Sequence, residues 1–246
     1  MAADQTEEMA ARPTLLRLDR VLANLGYATR STAAGLLRDG RVLVDGVEMR
    51  DAATKVDPQA VTLDGEPLDH PCGVLVALHK PAGLVCSHDE SEGPLVYDLL
   101  PFRWTARTPV VTSAGRLDKD TSGILILTDD SPLVHRLTSP KHHVTKEYEA
   151  ILDRPVPADA VEVFASGTLT LRNENRPCAP ADLAVTGERT CTVTMTEGRY
   201  HQVRRMFSAI GAEVESLHRR VFGPWRLGVD GLDLAPGEWC DINPPQ

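Results

Sequence analysis

The sequence predicts an α+β fold in two parts, a small N-terminal unit and a larger unit built on a mixed, mostly antiparallel sheet. Three observations carry that prediction. Near the start, Leu15, Leu18, Val21, Leu22 and Leu25 recur at helical spacing. Short apolar runs then turn at Asp45-Gly46 and Asp64-Gly65, the dipeptides of tight hairpins. From Val74 onward, short strand-like runs and short helical stretches follow one another.

The first stripe ends at Gly26, and Thr29-Arg30-Ser31 is an N-cap signal for a second helix, Thr32 to Arg38, closed by Asp39-Gly40. Arg41 to Met49 forms a hairpin. Two helices and a small sheet make a compact unit, with Arg17, Arg20, Arg30, Arg38 and Arg41 able to line one side. Asp69 to Gly73 is a linker. Val74 to Leu78 then reads as a buried strand, with His79-Lys80-Pro81 turning out of it. Glu90 to Pro109 is an irregular surface stretch with a short helix near Val96 to Leu100.

Gly115 to Asp130 is the centre of the chain. Its first half is dense in turn-formers and its second half, Ile124 to Leu127, is a short apolar run, so a tight loop feeds a buried strand. A carboxylate on such a loop is held in place yet reachable, and Arg116 beside it favours the ionised form a nucleophile needs. Taken alone, Asp118 and Asp120 would be ordinary turn residues.

Asp130-Ser131-Pro132 opens a helix to Leu137. The following loop holds Lys141, His142 and His143, candidates for phosphate or base contact; adjacent histidines without further ligands make a poor metal site. Lys146 to Ile151 begins a strand by alternation, Pro157 to Leu171 gives a helix and then a strand, and Leu183 to Thr196 holds one or two strands. A helix after Glu197-Gly198 buries Val203, Met206, Phe207 and Ile210; Arg204 borders that stripe, while Arg205 faces away and is free for phosphate. Val214 to Leu217 is a further strand, followed by Arg219-Arg220, and Leu232 to Trp239 closes the chain.

Composition narrows the function classes. The 246 residues carry a net charge of −9, yet the basic residues are clustered. Thr14 to Arg41 has five Arg against two Asp, Glu197 to Arg226 has six Arg against three Glu, and His135 to Lys146 has three cations, three His and no acid. Separated basic patches on an acidic protein suit selective contact with a folded RNA. Aromatics, at 4%, are too few for rows of stacking platforms. No apolar run reaches the length of a membrane span. Met1 to Arg12 lacks the apolar segment of a signal peptide. Five scattered cysteines, never spaced Cys-x-x-Cys, indicate reduced thiols in the cytoplasm and no zinc.

Gly115-Arg-Leu-Asp-Lys-Asp-Thr-Ser-Gly123, followed by an aliphatic strand, resembles the catalytic motif of the RNA pseudouridine synthases, in the ribosomal branch of the small-subunit (16S) type. The resemblance runs from Leu15 to Trp239. It places Asp118 as the catalytic aspartate and Asp120 at a motif position without that role. Lys80-Pro81-x-Gly83 is similar to the first family motif, usually structural, and Lys146-x-Tyr148 to the second. The resemblance implies that Tyr148 stacks on the target base and takes the proton leaving C5. Gly198 to Met206 is similar to the third motif, in which Arg204 pairs with the catalytic Asp. Tyr200-His201-Gln202 with Met206-Phe207 is similar to the 16S members rather than their 23S relatives. The N-terminal unit resembles the S4 RNA-binding domain through Arg17-Leu-Asp-Arg-Val-Leu-Ala and Gly40-Arg-Val-Leu-Val-Asp-Gly46.

The expected organisation is a disordered tail over 1–13, an S4-like RNA-binding domain over 14–71 and a pseudouridine synthase catalytic domain over 72–246. The implied reaction is isomerisation of one uridine of 16S rRNA, uridine 516 in standard rRNA numbering, with no metal or organic cofactor. The implied partner is 16S rRNA or a small-subunit assembly intermediate, and the protein is expected to be a monomer. Asp118 attacks ribose C1′ or uracil C6, or promotes elimination at the sugar. Arg116, Lys141, His142, Arg199 and Arg205 are the second unit's candidate RNA contacts. A 23S rRNA target is the alternative within the class. A non-catalytic S4 ribosome-assembly protein would not need Asp118, Tyr148 and Arg204 together. A metal-dependent nuclease would draw on Asp118, Asp120, Asp129 and Asp130, but nothing in their spacing builds a two-metal site.

Overall fold

The computed structural model describes residues 14–229 and 231–245, so the tail expected over 1–13 lies outside the described residues. The described chain separates into two compact units between Cys72 and Gly73, with Ala106–Thr108 joining the first unit. Thr108 N–H donates to the Asn24 carbonyl at 2.8 Å, which explains that assignment and has no sequence signal.

The first unit contains β1 (Leu16–Arg17), α1 (Leu18–Asn24), α2 (Arg30–Arg38), β2 (Val42–Val44), β3 (Val47–Glu48), β4 (Lys55–Val56), β5 (Val61–Leu63) and β6 (Glu66–Pro67). The first helix is shorter than the apolar stripe suggests because Leu16 and Arg17 are taken into an antiparallel pair with Val56 and Lys55. The second helix starts two residues early. Thr29 caps it, accepting from the Thr32 backbone at 3.2 Å while the Thr32 hydroxyl accepts from Thr29 N–H at 2.9 Å. Asp45 and Gly46 both take positive φ, 50° and 76°, as the two-residue turn between β2 and β3 requires. Leu18, Leu22, Leu37, Val42 and Val61 form the core.

The second unit contains β7 (Leu75–Lys80), β8 (Thr112–Ser113), β9 (Thr121–Thr128), α3 (Ser131–Thr138), β10 (Lys146–Leu152), α4 (Ala160–Ala165), β11 (Asp182–Val185), β12 (Thr190–Met195), α5 (Gln202–Ala209), β13 (Val214–Phe222), β14 (Trp225–Arg226) and β15 (Trp239–Asp241). The sheet order is β11-β12-β10-β13-β9-β7-β15, with β14 beside β13 and β8 beside β9. Only β13 and β9 run parallel; the other pairs are antiparallel. The strand expected before Leu171 reduces to an isolated bridge between Thr170 and Pro177.

β9 is buried on both faces, which accounts for its continuous apolar run. Leu125 and Leu127 pack with Val76, Leu78 and Trp104, while Ile124 and Ile126 pack on the other face with Leu133, Leu137 and Phe222. α5 buries Val203, Met206 and Phe207 against β10, β12 and α4, as its periodicity predicts. β13 runs five residues past the predicted Leu217, and Arg219 lies inside it, buried. No helix among the described residues is long and apolar enough to cross a membrane.

Candidate active site

The loop that precedes β9 is fixed by its backbone. Thr121 N–H donates to the Asp118 carbonyl at 3.0 Å, and Gly83 N–H donates to the Lys119 carbonyl at 2.7 Å. Beneath the loop lies the Lys80 ammonium, fully buried at the end of β7. It donates to the carbonyls of Thr121 (2.8 Å), Pro81 (3.0 Å), Asp118 (3.2 Å) and Lys119 (3.2 Å). Burial pushes the Lys80 ammonium below its usual pKa, while nearby negative groups, Asp118 and Asp120 among them, oppose the shift. Lys80 therefore clamps the segment that carries Asp118.

β9 approaches β13 so closely that Gly123 admits no side chain. A Cβ there would lie 2.1 Å from the Arg219 carbonyl oxygen, and its φ is +118°. The buried Arg219 guanidinium donates twice to the Ile124 carbonyl, at 2.8 and 3.0 Å, and sits 4.7 Å over the Phe222 ring. This junction sets the loop of Asp118 against the segment after β12 and the start of α5.

From that segment come the neighbours of the carboxylate. His201 Nε2 lies 3.2 Å from Asp118 Oδ1, and Arg204 Nε lies 3.9 Å from Asp118 Oδ2. The Arg204 fork is not turned on the carboxylate; its Nη atoms donate to the carbonyls of Val214 (2.8 Å) and Asp120 (3.4 Å). Arg204 thus holds α5 to β13 and to the loop while placing positive charge beside Asp118. His201 was absent from the predicted neighbours of Asp118. Its spacing from Arg204, three residues at a helix start, was the available signal.

Tyr148 lines the same cleft, whose volume is about 180 Å³. It sits opposite Arg219 on β13, at a register shift between Glu147 and Tyr148 that re-aims the strand. Its ring packs on two of the cores, and its hydroxyl has no hydrogen bond among the described residues. Lys146, also in the cleft wall, donates to the carbonyls of Val144 (2.8 Å) and Thr196 (3.0 Å). Burial, helped by the Arg219 charge, lowers its pKa to about 8.

The candidate RNA contacts divide sharply. Arg116 lines the cleft, is exposed and makes no ion pair, with Asp118 or otherwise, among the described residues. Arg20, Arg30, Arg38, Lys141 and His142 are likewise exposed without ion pairs. Arg17 and Arg41 are each held by a neighbouring carboxylate, Asp19 at 2.7 Å and Asp64 at 2.6 Å. Arg205, expected to be free, is bound to Glu174 at 2.5 Å, and Arg199 reaches the same carboxylate at 2.5 Å. The helix wheel correctly turns Arg205 off the buried stripe, but the loop before Pro177 covers that face and supplies the acid. Arg199 also pairs with Glu197, which Gln202 and the Ala179 N–H hold in turn. Among the described residues no group of three or more His, Cys, Asp or Glu is arranged to hold a metal ion.

Comparison with known proteins meets this geometry. The family described as RNA pseudouridylate synthase matches residues 74–209, and the S4 domain matches residues 16–62. The chain is 42% identical over 232 residues to the ribosomal small subunit pseudouridine synthase A of Escherichia coli (strain K12), covering 93% of this chain and 96% of that one. It is 40% identical, with the same coverage, to the protein of that name from Pasteurella multocida (strain Pm70). A crystal structure of a pseudouridylate synthase matches with a TM-score of 0.63 and 34% identity over 93% of this chain and 96% of that one. With Asp118 and Tyr148 lining one cleft, Arg204 beside Asp118, the family match covering 74–209 and relatives about 40% identical over most of the chain, the chain belongs to the RNA pseudouridylate synthase family and carries an S4 domain ahead of its synthase unit.

Proposed function

We propose that this protein isomerises a uridine of the small-subunit rRNA to pseudouridine, with Asp118 as the reacting carboxylate. The observation that carries the reading is the position of Asp118, on a loop clamped from below by Lys80 and flanked by Arg204 and His201. Small-subunit rRNA as the substrate class rests on the two relatives, and uridine 516 of 16S rRNA is the target we assign.

The chemistry breaks the N1–C1′ bond and forms C5–C1′; C5 gives up a proton and N1 gains one, so no atom is added or lost. The base must leave the RNA stack to reach the cleft. Asp118 attacks C1′ or C6 or assists elimination; in each route it works as a charged group held in one direction, which the Arg204 cation favours. Tyr148, rising from the cleft wall with an unengaged hydroxyl, packs on the uracil and takes the C5 proton. The cleft keeps the detached base close and excludes water, which would otherwise divert the reaction to hydrolysis. Arg116, Lys141 and His142 supply cationic or polar contacts to the RNA around the cleft, and the S4 domain adds further phosphate contacts. We assign the protein a monomeric state, a cytoplasmic location, and free 16S rRNA or a small-subunit assembly intermediate as its partner.

Asp118→Asn keeps the side-chain shape and removes the charge. It should abolish tritium release from 5-tritiated uridine in 16S rRNA while leaving RNA affinity within a few-fold of the parent. Appreciable turnover by that variant would remove Asp118 from the reaction. Mapping pseudouridine in rRNA from a strain lacking this gene names the target; an unchanged uridine 516 site would reassign it.

A further inference from the structure

Two of the arginines that the sequence offers to RNA near the cleft, Arg199 and Arg205, are already engaged, unlike Arg116. Arg199 donates to Glu174 (2.5 Å), Glu197 (2.9 Å) and the carbonyls of Arg176 (2.8 Å) and Pro177 (2.5 Å). Arg205 donates to Glu174 (2.5 Å) and the carbonyls of Arg172 (2.9 Å) and Tyr200 (3.1 Å). A phosphate could claim these guanidiniums only by breaking charge-assisted bonds and stranding Glu174. Their effect is instead to bolt the loop 172–177 to the cleft rim through three of its carbonyls and its one acid.

What that loop presents outward is different in kind. Arg172, Asn173, Asn175 and Arg176 are all exposed, and neither arginine makes an ion pair among the described residues. Two unpaired cations and two amides thus stand on a rigid loop beside the cleft, on a chain of net charge −9. Next to them is Tyr200, 76% exposed, the second most exposed large hydrophobic side chain among the described residues. Its ring is stacked on His201 at 3.8 Å and 17°, and its carbonyl is held by Arg205. One ring face is covered by the imidazole that touches Asp118, and the other is open. An oriented aromatic face beside unpaired arginines is what a single RNA strand binds, through base stacking and phosphate pairing.

We infer that the loop Arg172–Arg176 and the Tyr200 ring form an RNA-contact surface beside the cleft that takes the single strand flanking the target uridine. Tyr200 stacks on a flanking base, and Arg172 and Arg176 meet phosphates. Arg199 and Arg205 are positioning residues that hold this surface against the site. The inference rests on the RNA-modifying reading above.

The test compares the full chain with the double variant Arg172→Gln/Arg176→Gln and with Tyr200→Ala and Tyr200→Phe. Binding to an unmodified, protein-free 16S rRNA transcript is measured across salt concentrations, alongside tritium release. Loss of two phosphate contacts should make the plot of log K against log salt shallower by about 1.4–1.8 in the double variant. Tyr200→Ala should bind about 5- to 150-fold more weakly, the loss expected for one stacked base. Tyr200→Phe, which keeps the ring, should restore most of the affinity. The loss should fall on KM rather than kcat. An unchanged slope and affinity, or a melting temperature that drops with the affinity, would overturn the inference. Binding and slope are read without turnover, so a wild-type chain that releases no tritium would overturn the functional reading and leave this one standing.

Discussion

Removing the Arg204 charge tests the site most directly. Arg204→Met keeps most of the stem and deletes a cation 3.9 Å from Asp118. Two unit charges at about that separation attract by about 4 kcal/mol at an effective dielectric of about 20. The two side chains are 23% and 30% exposed, and solvent screening at that exposure reduces the figure to about 2 kcal/mol. If that attraction holds the reacting carboxylate in line, its loss slows the chemical step about 30-fold. The variant also loses donors to Val214 and Asp120, each worth about 1 kcal/mol, so its melting temperature should fall by several degrees while the fold persists. Arg204→Lys retains the charge but cannot serve both carbonyls at once, so its rate should lie between those of Met and the parent. The comparator is Arg205→Met, one residue along, which meets Glu174 rather than Asp118. The assay is the single-turnover rate at saturating 16S rRNA. If Arg205→Met is slowed more than Arg204→Met, the wrong arginine has been set beside the reacting carboxylate.

Three further outcomes are expected. Gly123→Ala drives a methyl into the Arg219 backbone at a left-handed φ; we expect at least about 4 kcal/mol of lost stability and a melting point lower by about 10 °C or more, and a drop of under about 2 °C would mean that β9 and β13 can part freely. Burial holds the Lys146 pKa at about 8 against a model-compound 10.5, so between those values the unfolded chain binds the extra proton and stability rises with pH. Below about pH 8 both states are protonated and the contribution is flat; thermal melts should show the wild-type gain across that window, and Lys146→Met should lack it. In the S4 domain, replacing the unpaired Arg20, Arg30 and Arg38 together with Gln should flatten the salt dependence of RNA binding by about 2 in log–log slope, whereas Arg17→Gln/Arg41→Gln, at residues already bound to acids, should change it less per charge removed.

Where chemistry is local, the sequence was readable. Ile124 to Leu127 announces a strand buried on both faces because only such a strand is apolar at every position. Asp45-Gly46 announces its turn because both residues must take positive φ. The stripe of α5 places Val203, Met206 and Phe207 inside and Arg204 at its border. What stayed hidden depends on partners distant in sequence. Arg205 turns off the stripe as expected, but its engagement is decided by Glu174, 31 positions earlier. Arg219 reads as the end of a strand because a charged residue rarely lies inside one; the Ile124 carbonyl, 95 positions away, is what makes its burial tolerable. The loop that takes Ala106–Thr108 into the first unit carries no periodicity at all.

The parallel seam between β9 and β13 also orders events in time. Ile124 and Arg219 are 95 positions apart, so at a translation rate of about 5–20 residues per second the ribosome needs about 5–20 s to deliver the second after the first. Throughout that interval β9 can pair with β7 and, at Leu127 and Thr128, with β8, both already synthesised, but its edge at Thr121 to Gly123 stays open. The S4 domain faces no such wait, since its two sheets close between strands that lie within residues 16–67. Maturation therefore proceeds from the S4 end towards the cleft, and Asp118 meets His201 and Arg204 only late in synthesis. A nascent chain stalled before Val214 would leave Thr121 to Gly123, the start of β9 just past the loop of Asp118, without its partner strand until β13 arrives.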